Sequence, residues 1–82
     1  MNTNETIRRF IASELLRGQH EKPPSDDDPL IDAGIIDSMG VMSLLAFLEK
    51  EFSIEIPGDE LIPENFASIT AIAALVERQK AN

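Results

Sequence analysis

The 82-residue chain has no cysteine, no tryptophan and no tyrosine. Without cysteine there is no disulfide framework, no thiolate zinc site and no cysteine nucleophile. Four phenylalanines are its only aromatic residues, so a core must be mainly aliphatic. No run approaches the roughly 20 apolar residues of a membrane span. The N-terminal MNTNETIRRF lacks the apolar stretch of a signal peptide. Basic residues are scarce, seven against fifteen acids, for a net charge of −8. Hydrophobic residues still make up 43%, too many for a fully disordered chain. These features predict one acidic, cytoplasmic domain spanning residues 1–82.

The charge is unevenly placed. Residues 1–20 carry Arg8, Arg9 and Arg17 against Glu5 and Glu14, whereas residues 21–68 hold twelve acids against Lys22 and Lys50. Nucleic acid would be repelled by that central segment, because binding it requires Lys and Arg to neutralise phosphates. A basic protein surface is a natural complement, and plain solubility is an equally good reason for the acidity.

Apolar spacing predicts the elements. Ile7, Phe10, Ile11 and Leu15 recur every three or four residues, which predicts a helix from about Asn4 to Arg17, capped by Asn4 or Thr3 and stopped by Gly18. Residues 18–36 read as a long connection, since Pro23, Pro24 and Pro29 forbid a continuous helix. Leu30, Ile31, Ile35 and Ile36 would pin it to the core, with Gly34 supplying a tight or left-handed turn. The strongest helix runs from Ser38 to Phe52 behind Asp37, a good N-cap. Its main stripe is Val41, Leu44, Leu45, Leu48 and Phe52. A second set, Met39, Met42, Ala46 and Phe47, lies opposite. So short a chain can hardly bury one helix on every side, so part of this second face is expected at the surface. A single turn from Gly58 or Asp59 through Leu61 and Ile62 follows, then a last helix capped by Ser68. The fold class is all-α: a small four-helix bundle of three main helices and one short one, with a long first loop.

Three chemistries fail on spacing. Asp26, Asp27, Asp28 and Asp32 invite a calcium loop, but Leu30 and Ala33 occupy positions the motif reserves for ligands and glycine. Ser38 in IIDSMG lacks the first glycine of a nucleophile elbow, where Ile36 stands. The lone histidine, His20, sits in a polar stretch that nothing in sequence brings to Ser38, so the hydroxyl lacks a base. No catalytic residue and no metal site are predicted. The sequon at Asn4 has no meaning without a secretory signal.

What remains is Ser38 itself. With Asp37 serving as cap, its hydroxyl is left to point to solvent, at a helix start that favours a phosphate ester. The alternative reading is a redundant cap residue.

The run LIDAGIIDSMGVMSLLAFLEKEFSIEIP, residues 30–57, resembles the core motif of the acyl carrier protein superfamily. In that family the serine of an Asp-Ser-Leu or Asp-Ser-Met triplet opens the second helix and is esterified to 4′-phosphopantetheine, whose thiol carries acyl or aminoacyl thioesters. The resemblance implies that Asp37-Ser38-Met39 is the triplet and Ser38 the attachment point for the cofactor. Glu49, Phe52, Ile54, Ile56 and Pro57 match the end of the second helix and the turn after it. It further implies that Asp37 serves as helix cap or in recognition by a phosphopantetheinyl transferase. Met39, Met42 and Ala46, also singled out by periodicity, become the partner contact.

Gly40 and Ser43 stand where the fatty acid synthase branch resembles an acidic strip, and DSMG is more similar to D-alanyl and stand-alone aminoacyl or peptidyl carriers. The expected function is therefore an aminoacyl-type or secondary-metabolism carrier without catalysis of its own. It would be loaded by an adenylate-forming ligase or acyltransferase and unloaded by a downstream acceptor enzyme, as a monomer. The alternatives are a fatty-acyl or polyketide carrier and an acidic interaction module that leaves Ser38 bare.

Overall fold

The computed structural model describes residues 2–15 and 23–81. The described residues form helices, turns and irregular connections, with no strand. The chain opens with α1, Thr3–Phe10, which continues as a five-residue π-helical segment, Ile11–Leu15. Asn2 is the cap, its side chain accepting from the Glu5 amide at 2.8 Å, one to two residues earlier than the sequence suggests. The expected Gly18 stop and the surroundings of His20 fall outside the described residues.

Along residues 23–37 the chain runs without a helix, as its prolines predict, yet it is firmly held. Leu30 is sealed in the core, and its amide donates to the Ala67 carbonyl at 2.8 Å. The Leu30 carbonyl in turn accepts from the amides of Ile35 and Ile36. Gly34 closes this turn at φ +73°, a conformation that costs a residue with a Cβ about 1–2 kcal/mol. Ile36 is buried and Ile35 half-buried. Ile31, expected to pin the loop, is neither in the core nor among the side chains packed on it and keeps 37% of its surface exposed.

The acids of this segment are tied down. Asp26 pairs with Arg8 of α1, whose Nε donates to the Pro24 carbonyl at 3.0 Å. Asp27 accepts from the Thr70 hydroxyl at 3.1 Å, and Asp28 from the Ser25 amide at 2.8 Å. Three side chains that invited a metal thus fasten the crossover. No cluster able to hold a metal ion occurs among the described residues.

Helix α2, Ser38–Phe52, ends on Ser53 in the left-handed region at φ 55°. The Glu49 carboxylate accepts from the Ile56 amide at 3.0 Å and folds the following turn back. Two 3₁₀ turns follow, Gly58–Glu60 and Pro63–Phe66, where the sequence suggests a single short helix; Pro63 starts the second. Last comes α3, Ile69–Lys80, capped by Ser68. It packs against α1, α2 and the second 3₁₀ turn. Ile7, Ile11, Leu30, Leu44, Leu48, Phe66, Ile69, Ile72, Leu75 and Val76 are sealed into one mainly aliphatic core. This is the three-helix-plus-short-turn architecture expected, and no helix of the described residues is long and apolar enough to cross a membrane.

Candidate functional site

The site is built on the first turn of α2. Asp37 is extended at φ −117°, and its Oδ1 accepts from the Gly40 amide at 2.8 Å, while its carbonyl accepts from the Val41 amide. The cap therefore comes from Asp37, as the sequence predicts. Ser38 is the first residue inside the helix and its side chain is exposed. Among the described residues its hydroxyl makes no hydrogen bond. The Asp37 carboxylate is itself stabilised there by its backbone hydrogen bond and the positive helix end.

Gly40 is buried under this turn. A Cβ there would sit 3.4 Å from both Asp37 Oδ1 and the Ile36 Cβ, and 3.7 Å from Leu15. Its missing side chain lets the start of α2 press onto the crossover and the π-helical segment. Reading Gly40 as a vacated position on a charged surface is therefore corrected: it is a packing position, and Ser43 alone is both neutral and exposed.

Met39 is 79% exposed and Met42 58%, and Ala46 is exposed one turn further on. These three form an apolar stripe leading away from Ser38. Phe47, assigned to the same face, does not belong to it. Its ring stacks on Phe10 at 4.2 Å between centroids, so it joins α2 to α1.

Beside Ser38 lies a groove of about 650 Å³ lined by Ile31, Ile36, Val41, Met42, Leu61 and Ile62, with Asp37 and Ser38 at its edge. Sequence reasoning missed Ile31, Leu61 and Ile62 as site residues. The available signal was two large apolar side chains in a turn between prolines, too short to bury both. An exposed hydroxyl, a helix start that favours phosphate and an apolar groove suit a phosphate-linked apolar-polar arm. They offer no enclosed reaction chamber.

Comparison with known proteins agrees with this geometry. Residues 5–76 match the family described as a phosphopantetheine attachment site. The chain is 36% identical over 72 residues to the probable acyl carrier protein PigG of Serratia sp. (strain ATCC 39006), covering 88% of this chain and 82% of that protein. It is 33% identical over 72 residues to the D-alanyl carrier protein of Streptococcus suis (strain 05ZYH33), covering 88% and 87%. It is 28% identical over 79 residues to aminoacyl carrier protein 2 of Bradyrhizobium diazoefficiens, covering 96% and 88%. Among solved structures, a chain from a crystal structure of an FAD-dependent dehydrogenase superposes with a TM-score of 0.77 at 33% identity. That match covers 85% of this chain and 97% of the other.

Proposed function

The chain belongs to the phosphopantetheine-attachment family and is a carrier protein that takes 4′-phosphopantetheine covalently, and from that premise we propose that Ser38 bears the arm. The observation that carries this reading is the free Ser38 hydroxyl one residue inside a helix already capped by Asp37. The arm supplies a terminal thiol that holds an acyl or aminoacyl group as a thioester and keeps it at high local concentration for successive enzymes. The chain's own residues do the rest. Asp37 holds the first turn of α2 so that Ser38 faces a phosphopantetheinyl transferase. Met39, Met42 and Ala46 offer that enzyme and later partners an apolar contact beside the serine. The chain itself performs no catalysis, works in the cytoplasm, and is a monomer.

The cargo is a small aminoacyl group. Two similar proteins are named for D-alanyl and aminoacyl groups. On α2 and α3, Leu44, Leu48, Ile72 and Val76 are sealed in the core, so a long chain would have to part these helices to enter it. The loading enzyme is then an adenylate-forming ligase. A flavin-dependent dehydrogenase is a candidate downstream partner. The solved chain in that crystal structure is about as long as this one, too short to fold a flavin enzyme by itself.

The test is loading of the phosphopantetheinylated chain by adenylate-forming ligases supplied with ATP and either amino acids or long fatty acids, read by intact mass and melting temperature. An amino acid held as a hydroxylamine-labile adduct, with little change in melting temperature, is expected. Loading by long acyl chains alone, with a melting temperature raised by several degrees, would overturn the cargo assignment.

A further inference from the structure

The Leu61–Ile62 wall of the groove is flanked by polar residues that the carrier reading does not use. Leu61 and Ile62 are 37% and 44% exposed and line the groove beside Ser38. They sit between the two 3₁₀ turns, in a bend of their own. Leu61 has φ −82° and ψ 64°, close to an inverse γ-turn, and the Ile62 amide donates to the Glu60 carbonyl at 2.9 Å. The same Glu60 carbonyl accepts from Asn65 Nδ2 at 2.7 Å, and Asn65 Nδ2 also reaches Glu60 Oε1 at 3.0 Å. From α3, one guanidinium nitrogen of Arg78 lies 3.3 Å from both Glu60 Oε1 and Asn65 Oδ1. Glu60 closes the first turn, Asn65 belongs to the second, and Arg78 fastens both to the helix. Leu61 and Ile62 are not among the side chains packed on the core, so this polar triangle, together with the backbone hydrogen bonds of the two turns, fixes where they stand.

We propose that Arg78, Asn65 and Glu60 are positioning residues that hold the Leu61–Ile62 wall beside the arm on Ser38. This inference rests on the assignment of the arm to Ser38. None of the three lines the groove itself, and all three act through the turn they close. Their loss loosens the wall without disturbing the start of α2, which is built on Asp37 and Gly40. The effect is modest, because Arg78 is partly exposed and each contact is worth little on its own.

The experiment uses the full chain and its Arg78→Ala and Arg78→Lys variants, with amide hydrogen exchange followed by NMR. A dye-bearing phosphopantetheine is transferred to Ser38 from a coenzyme A conjugate. Arg78→Ala is expected to speed exchange at Leu61 and Ile62 about two- to fivefold while Phe66 and Ile72 keep their protection. Arg78→Lys, which keeps a donor for Glu60, restores most of the protection. The dye on the arm loses anisotropy in Arg78→Ala and regains it in Arg78→Lys. Unchanged exchange at Leu61 and Ile62, or acceleration spread evenly through α3, overturns the clamp. Local loosening with no change in dye anisotropy overturns its positioning role. Failure of the wild-type chain to accept the dye would refute the Ser38 assignment instead, and exchange at residues 61 and 62 would still report on the clamp.

Discussion

Among the described residues, α2 and α3 each have a serine at their start, and the two serines behave differently. At α3 the serine is the cap: the Ser68 hydroxyl accepts from the Ala71 amide at 3.1 Å and is half-buried. At α2 the corresponding hydrogen bond, to the Gly40 amide, is made by Asp37. Ser38 stands one residue further in, exposed and unengaged among the described residues. The difference is one position in register. A serine at the cap spends its hydroxyl on the backbone, whereas a serine just inside an aspartate-capped helix keeps it for solvent, a transferase or an arm. The acids divide in the same way. Asp26, Asp27 and Asp28 are engaged in holding the crossover, and Asp37 is engaged in freeing its neighbour.

Substitutions at the two helix starts separate these roles. Ser38→Ala gives the largest effect: complete loss of phosphopantetheine uptake by intact mass, with stability changed by less than about 0.5 kcal/mol because the side chain is exposed. Asp37→Ala comes next. It removes a cap worth about 1 kcal/mol, lowers the melting temperature by about 4–8 °C and slows arm transfer, since the first turn of α2 frays. Ser68→Ala costs a similar 1 kcal/mol or so in a thermal melt but leaves uptake at the wild-type rate. Equal slowing by Asp37→Ala and Ser68→Ala would break the comparison, because fraying far from Ser38 would then matter as much as fraying beside it. Smallest overall is Met39→Ser, which like Ser38→Ala is expected within about 0.5 kcal/mol of wild type at so exposed a position. Its effect should appear only as a raised KM with the transferase and the loading ligase.

Much of this was legible in the sequence because the signals are local. Asp37 before an apolar periodic run, Ser68 before another and Gly34 in a turn each carry their structural reason within a few residues. The Met39, Met42 and Ala46 stripe was legible by subtraction, being what remains once α2 has buried its better face. The errors fall where distant parts of the chain meet. Phe47 looked like a member of the exposed set, and only Phe10, 37 positions away in sequence, turns it into a packing residue. Gly40 looked like missing charge until Ile36 and Leu15 were seen against it. The choice of Asn2 as cap within the similar residues Asn2, Thr3 and Asn4 is a matter of register that composition cannot decide. The π-helical segment has no local signature, and the polar triangle of Glu60, Asn65 and Arg78 exists only because α3 returns beside the 3₁₀ turns.

The most direct test of the central claim is to locate the added mass. The chain, co-expressed with a broad-specificity phosphopantetheinyl transferase, is digested and its peptides fragmented. The account predicts one phosphopantetheine, carried wholly by Ser38, with Ser43, Ser53 and Ser68 unmodified. An arm found on any other residue, or no arm under conditions that modify an established carrier, would contradict it.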